Sequence, residues 1–124
     1  MIRKRVLNPQ RVRRISGGFS FIPHRFVTDG FLASLSANEL LLYLFLVAVS
    51  DRNGLSFYSS DSISSLLHMP YNHYSKARDC LIEKDLIAFD GTLFQVLELP
   101  PSPNGPSSYA SAIHKLTKNL FAEV

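Results

Sequence analysis

The fold is decided by the stretch "YNHYSKARDCLIEKDLIAFDG", which runs from Tyr71 to Gly91. Its first part carries apolar residues at helical spacing and predicts a helix over Tyr71–Lys84. The residues expected on the inner face of this helix are Tyr74, Ala77 and Leu81. The apolar runs "LIAF" and "TLFQVLEL" flank Asp90-Gly91, a dipeptide typical of two-residue hairpin turns. The stretch therefore predicts a helix that leads directly into a β-hairpin.

A second, shorter helix is expected just before this stretch. Ser59 or Ser60 is in position to cap a helix that begins at Asp61, whose charge suits the positive end of a helix. The spacing i, i+3, i+4 gives this helix an inner face formed by Ile63, Leu66 and Leu67. "HMP" then turns the chain, and the β-favouring run "LSFYS" upstream predicts a strand over Leu55–Tyr58.

The longest apolar run predicts the central helix of the core. In "SANELLLYLFLVAVSDRNG", Ser36 and Glu39 have the S-x-x-E spacing of a capping box, where each side chain bonds the other residue's free backbone N–H. The ten residues after Glu39 are almost wholly apolar, so this helix is expected to be buried on most sides. Asn53 or Gly54 is expected to supply the left-handed residue after its end.

The body opens with "FSFIPHRFVTDGFLASL", which predicts a short first helix. Pro23 suits the first turn of a helix, and Phe26 and Val27 are then expected to face inward. Gly30 is expected to end this helix before the next apolar residues pack, which are Phe31, Leu32 and Leu35.

The predicted order is helix, helix, strand, helix, turn, helix, strand, tight turn, strand. This order is typical of a winged helix-turn-helix domain, a mainly α fold with a small antiparallel β wing (α+β). We divide the chain into a basic flexible arm at 1–18, the winged helix-turn-helix domain at 19–99, a Pro-rich linker "PPSPNGP" at 100–106, and a C-terminal amphipathic helix at 107–124.

From Ser59 to Leu97 the chain resembles a bacterial winged helix. The segment "SSDSISSLLHMPYNHYSKARDCLIEKDLI" is similar to the family pattern of a short helix, a tight turn and a recognition helix that ends in "gLI" before the wing. Leu86-Ile87 match the end of that pattern, whereas Asp85 replaces the usual glycine and His68 stands where the turn often has one. Left-handed geometry costs Asp and His less than most residues, so His68 is interpreted as a turn residue and not as a ligand.

The segment upstream resembles two further groups of bacterial proteins. "FSFIPHRFVTDGFLASLSANELLLYLFLVAVSDRNGLSFYS" is similar to the N-terminal parts of plasmid replication initiators and primosome-loading winged-helix proteins, and to small helix-turn-helix proteins of mobile elements. Together the resemblances cover residues 19–99, about two thirds of the chain. They imply a double-stranded DNA-binding protein that is a regulator or accessory factor in transcription, replication or mobility of a bacterial element.

Under this hypothesis the first half of the Tyr71–Lys84 helix meets the base edges in a major groove. The outward-facing candidates for DNA contact are Tyr71, Asn72, His73, Ser75 and Lys76. Asn can bond adenine in a bidentate manner, and Lys can donate to guanine or to a phosphate. The alternative is an ordinary solvated helix face. Arg78 is expected to lie half-buried beside an acid, with its stem on the core.

Charge divides the chain into a basic start and an acidic remainder. Residues 1–28 carry seven basic residues and no acid, while the rest carries six basic and ten acidic residues. Such an arm suggests a polyanionic partner, and the alternative is a solvated, disordered terminus. The arm residues expected to contact DNA phosphates are Arg3, Lys4, Arg5, Arg11, Arg13 and Arg14. Because residues 71–85 carry three basic and three acidic residues and the wing has no basic tip, the rival hypothesis is a protein-interaction module that does not touch DNA.

The last helix carries a heptad-like apolar stripe. Its members are Tyr109, Ile113, Leu116 and Leu120. The stripe can cover the domain's own core, or it can pair with a second protomer and form a homodimer through residues 107–121. We favour pairing because the Pro-rich linker can project the helix away from the body.

Catalytic and metal-binding motifs are not evident. The spacing of His68, His73 and Cys80 matches no zinc pattern, and no Walker loop, nucleophile elbow or HExxH motif occurs. We therefore expect no enzyme activity, no cofactor, no small-molecule ligand and no membrane partner. The single cysteine, Cys80, permits no internal disulfide and suits a cytoplasmic protein.

Overall fold

A computed structural model describes residues 2–103, in which four α-helices and a three-stranded antiparallel sheet form the body. The helices are α1 (Arg25–Thr28), α2 (Ala37–Val49), α3 (Ser60–Leu66) and α4 (Tyr71–Glu83), and the strands are β1 (Leu55–Ser56), β2 (Ile87–Phe89) and β3 (Phe94–Val96). Single 3₁₀ turns occur at Pro9–Arg11 and Leu32–Ser34. The predicted C-terminal helix and its apolar stripe lie outside the described residues.

The sheet has β3 in its centre. β1 pairs with one edge of β3, where Leu55 lies opposite Gln95. β2 pairs with the other edge of β3, where Ala88 lies opposite the same Gln95. The predicted strand Leu55–Tyr58 is two residues too long at its end, because the chain turns away toward the α3 cap after Ser56. The two aromatic side chains that were predicted in the strand are therefore exposed.

The core forms where α4 crosses α2 and where both meet the sheet. All three predicted inner residues of α4 are buried, at 2% exposure or less, and they pack with Leu42 and Leu46 of α2 and Phe94 of β3. The hydrophobic spacing of α4 therefore predicted its buried face correctly. These contacts set which side of α4 remains available to a partner.

Two leucines expected to pack are exposed instead. Leu66 is 58% exposed because it lies roughly 60° around α3 from Ile63, and a seven-residue helix buries only a narrow face. Ile63 is fully buried and Leu67 is half-buried, as predicted. Leu32 is 36% exposed, because it opens a 3₁₀ turn whose neighbour Phe31 takes the buried position.

The central helix α2 is capped as predicted but is open along one side. The Ser36 hydroxyl oxygen accepts from the Glu39 N–H at 3.2 Å, which is one half of the capping box. The helix is buried on most sides, as expected. Leu41, Leu44 and Ala48 are exposed and lie on its one open face, which we call the open side of α2.

Left-handed residues occur at the predicted turns. Gly54 has φ +83°, His68 has φ 51° and Asp85 has φ 63°. His68 is therefore confirmed as a turn residue, and Asp85 adopts the conformation that the resemblance assigns to glycine. Gly54 also permits a close approach, since a β-carbon there would lie 2.4 Å from the carbonyl oxygen of Val96.

The hairpin turn lies one residue later than predicted. The Asp90 N–H donates to the Leu93 carbonyl at 3.2 Å, so the two residues at the tip are Gly91 and Thr92 and not Asp90-Gly91. The Asp90 carboxylate accepts from the N–H groups of Thr92 and Leu93 at 2.8 and 2.7 Å. The aspartate thus closes the turn with its side chain instead of occupying the tip.

Arg25 fixes the segment that follows β3 against α1. Its guanidinium donates to the carbonyl oxygens of Leu99 at 3.2 Å and Pro100 at 2.7 Å, and it pairs with Asp29 at 2.9 Å. The chain therefore leaves the sheet next to the first helix. Of the seven basic residues in the first 28, Arg25 is thus one with a structural role.

Candidate nucleic-acid interface

The first half of α4 presents a polar face above a buried one. Tyr71, Asn72, His73 and Lys76 are exposed, whereas Tyr74 beneath them is buried. The first turn contains no acidic residue, and the N-cap is Pro70, whose side chain makes no capping hydrogen bond. Donor groups and the positive end of the helix dipole therefore meet at this face.

Ser75 is less available than the other predicted contact residues. It is half-buried, and its hydroxyl donates to the Asn72 carbonyl oxygen at 3.2 Å. The hydroxyl is thus already used within the helix, although its oxygen can still accept a bond. Four of the five predicted α4 contact residues lie fully on the open face, and Ser75 lies at its edge.

Arg78 lies half-buried beneath this face, as predicted. Its guanidinium carbon is 5.5 Å from the Tyr74 ring centroid and 5.3 Å from that of Phe89, and its Nε donates to Asp79 at 3.1 Å. Burial lowers the pKa of Arg78, but the hydrogen bond to Asp79 and the Tyr74 hydroxyl raise it by more, so the pKa lies above its ordinary value. The residue links α4 to the hairpin as a permanent cation.

A charged contact that sequence reasoning missed holds the other end of α4. Lys84, the C-cap residue, donates to the Ser34 carbonyl oxygen at 2.7 Å and to the Glu39 carboxylate of α2. Burial raises the pKa of Glu39, yet the bonds from Lys84 and Ser36 lower it by more. The sequence signal for this contact was Glu39 itself, a lone acid in an apolar helix. A buried carboxylate requires a partner, so a cation from another segment could have been expected.

The hairpin tip carries no cation. Asp90 to Leu93 contain one carboxylate, and the backbone N–H groups of Leu93 and Thr92 lower the pKa of Asp90. The carboxylate is therefore ionised at neutral pH and would repel a phosphate placed close to it. The absence of a basic tip, noted from the sequence, is thus accompanied by a negative charge.

The basic arm is fully exposed. Every residue from 2 to 18 is open to solvent, and within residues 2–103 no hydrogen bond or ion pair joins these residues to the body. The turn at Pro9–Arg11, capped by Asn8, separates two groups of cations. These groups are Arg3, Lys4 and Arg5 before the turn, and Arg11, Arg13 and Arg14 at its end and beyond.

A groove next to α4 brings together residues that are distant in sequence. It has a volume of about 380 Å³ and lies between the β1–α3 connection, the start of α4 and the hairpin. We call it the aromatic groove, because its walls include Phe57, Tyr58, Tyr71, Tyr74 and Phe89. Sequence reasoning missed it, since it assigned the first two of these residues to a strand and treated only Tyr71 as a candidate for binding.

The residues considered for metal binding do not form a cluster. Within residues 2–103, no three His, Cys, Asp or Glu side chains come together as metal ligands. His68 and His73 are exposed, and burial raises the pKa of the half-buried Cys80 thiol. In the same part of the chain, no helix combines the length and hydropathy that crossing a membrane requires.

Comparison of the chain with protein-family models, curated proteins and solved structures found no match. The function of the chain is therefore inferred from the placement and chemistry of its own residues.

Proposed function

We propose that the protein is a winged helix-turn-helix protein that binds double-stranded DNA and has no enzymatic activity. Support for this fold comes from the element order and from the position of β3 between β1 and β2, and in the proposal the hairpin of β2 and β3 is the wing. In the proposal, α3 and α4 form the helix-turn-helix, and α4 is the recognition helix.

The observation that carries the proposal is the exposed, carboxylate-free first half of α4. Asn72, His73 and Lys76 project from it, while its acids, Asp79 and Glu83, lie in the second half. A recognition helix contacts base edges with its N-terminal residues, so donors are expected there and acids are tolerated further along. Tyr71 lies at the start of this face, and Ser75 at its edge.

The arm supplies affinity that the body lacks. The six arm cations are exposed, whereas the hairpin tip carries an ionised aspartate. In the proposal, the arm follows the phosphate backbone or enters a minor groove, and α4 selects the sequence. The protein would act in transcription, replication or mobility of a bacterial element, with residues 107–121 pairing two protomers on a two-fold site.

Salt-dependent binding tests this proposal. Affinity for mixed-sequence duplex DNA would be measured at several salt concentrations for the intact chain, a chain without residues 1–14, and Lys76→Ala. Each phosphate contact contributes about 0.9 to the slope of log K against log salt, so four arm contacts would give a slope of about −3.6 that deletion removes. Lys76→Ala is expected to weaken binding, with Arg52→Ala, an exposed cation outside α4, as the matched control. Lack of binding by the intact chain at low salt would refute the proposal.

A second candidate function follows from the open side of α2. Leu41 and Leu44 are 42% and 41% exposed, and Ala48 beside them leaves room for close approach of another helix. Such a surface suits a protein-interaction module that assembles a replication or recombination complex without touching DNA. Under this alternative, Leu44→Glu abolishes partner binding and the intact chain shows no salt-dependent affinity for duplex DNA.

A further inference from the structure

The walls of the aromatic groove have an unusual chemistry for this protein. They combine five aromatic rings, one guanidinium and the hydroxyls of Ser59, Ser60 and Thr92. No carboxylate lines the groove, although residues 29–124 carry ten acidic residues. The walls thus offer ring faces, hydroxyls and a guanidinium whose Nε is bonded to Asp79.

Several of the rings are held in place by neighbouring side chains. Tyr58 packs edge-on against Phe45 with centroids 5.3 Å apart, and Tyr71 lies 5.9 Å from Tyr74. Phe57 is different, because it is 68% exposed and makes no ring contact within residues 2–103. Exposing such a large apolar ring to water costs free energy, and a stacked partner would remove that cost.

The volume and the floor of the groove fit a small planar group with a nearby anion. At about 380 Å³ the groove falls within the range of roughly 300–1,000 Å³ that is typical of ligand clefts. Arg78 forms part of its floor, between the Tyr74 and Phe89 rings. Aromatic rings beside a fixed cation are the combination with which proteins hold unpaired nucleotides, since every base has a π-face and every link a phosphate.

We propose that the aromatic groove binds unpaired nucleotides of a single-stranded DNA segment next to the duplex held by α4. This inference rests on the proposed function, because Tyr71 belongs to both surfaces and the arm supplies the charge that a single strand needs. Bases stack on Phe57 and the flanking tyrosines, and a phosphate meets Arg78 and the groove hydroxyls. The protein would then prefer a junction of duplex and single strand over a continuous duplex.

The test compares two DNAs that differ only in pairing. One is a duplex with a single-stranded overhang of about five nucleotides, and the other has the same overhang paired by a complementary strand. Fluorescence anisotropy at one fixed salt concentration would give both dissociation constants for the intact chain. Stacking of one base corresponds to about a 5- to 150-fold difference in affinity, so the overhang DNA is expected to bind at least about fivefold more tightly.

Variants assign the preference to the groove. Phe57→Ala is expected to abolish the preference for the overhang and to leave affinity for the paired DNA unchanged, because the residue lies outside the α4 face. Phe57→Tyr keeps a ring and should keep the preference, as should the matched control Leu66→Ala, which removes another exposed side chain. Circular dichroism would verify that each variant is folded.

The outcomes separate this inference from the proposed function. Equal affinity of the intact chain for the two DNAs, or an equal loss for both in Phe57→Ala, would overturn the groove proposal and leave duplex binding standing. Failure to bind either DNA would overturn both. A preference that survives Phe57→Ala would also contradict the groove as the site of the unpaired nucleotides.

Discussion

Replacement of Lys84 by methionine is the perturbation that tests most directly how α4 is held. Methionine keeps most of the side chain's apolar length but removes its charge and both of its hydrogen bonds, to Ser34 and Glu39. The Glu39 side chain, only 12% exposed, would then lose its cation. Breaking a buried pair costs about 3–5 kcal/mol, and the 20% exposure of Lys84 places the expected loss near the lower end, at about 3 kcal/mol.

Urea denaturation would measure this loss, and a double-mutant cycle would assign it. Glu39→Gln combined with Lys84→Met removes both charges, so it is expected to cost less than the sum of the single changes by at least about 1 kcal/mol. Lys76→Met is the matched control, because Lys76 is an exposed lysine on the same helix, and its cost should stay within about 0.5 kcal/mol.

The pH dependence of stability gives a second measure. The pKa of Glu39 is lowered in the folded protein, so its contribution is fully present above the ordinary value of about 4.5 and is lost as the pH falls through the lower folded pKa. The difference in free energy of unfolding between the unsubstituted chain and Lys84→Met should therefore be largest near neutral pH and shrink in acid. A cost below about 0.5 kcal/mol, or one that does not change between neutral and acidic pH, would refute the reasoning.

Five further substitutions test the turns and the core by the same urea measurement. Gly54→Ala is expected to cost about 2–4 kcal/mol, because its β-carbon would clash with a β3 carbonyl oxygen and its φ is positive. Gly91→Ala has open space around the new β-carbon and a φ of +99°, so it should cost about 1 kcal/mol. Equal costs for the two substitutions would contradict the close approach at Gly54. Asp85→Gly is expected to stabilise the protein by about 0.5–1 kcal/mol by relieving a left-handed residue at φ 63°, whereas a loss would show that the aspartate side chain matters more. Ile63→Ala should cost about 2–5 kcal/mol and Leu66→Ala less than about 0.5 kcal/mol, and similar costs would argue that Leu66 packs after all.

Local periodicity explains which parts of the fold were predictable. The spacing of Tyr74, Ala77 and Leu81 reports the buried face of α4, because a long helix repeats its contacts over several turns. The same spacing rule predicted that Leu66 faces inward. This prediction is wrong, because α3 is too short to bury a wide face. Turn positions such as His68 could be predicted from the sequence, because few residue types tolerate positive φ.

Contacts between distant segments explain what was missed. The capping rule names the nearest partner for Glu39, whereas its strongest bond comes from Lys84, 45 residues away. The aromatic groove exists only once the β1–α3 connection, α4 and the hairpin meet, so neither Phe57 nor Tyr58 carries a signal by itself. The tip of the hairpin lies one residue later than predicted, because the Asp90 carboxylate accepts hydrogen bonds from the turn. A dipeptide pattern does not describe such side-chain bonds.

The most direct test of the central proposal is to locate bound duplex DNA by nuclear magnetic resonance. Amide signals of the intact, ¹⁵N-labelled chain would be followed during titration with a mixed-sequence duplex at low salt. The proposal predicts that the largest changes fall on Tyr71–Lys76 and on the arm residues from Arg3 to Arg14. Changes confined to the open side of α2, or no changes at all, would contradict it.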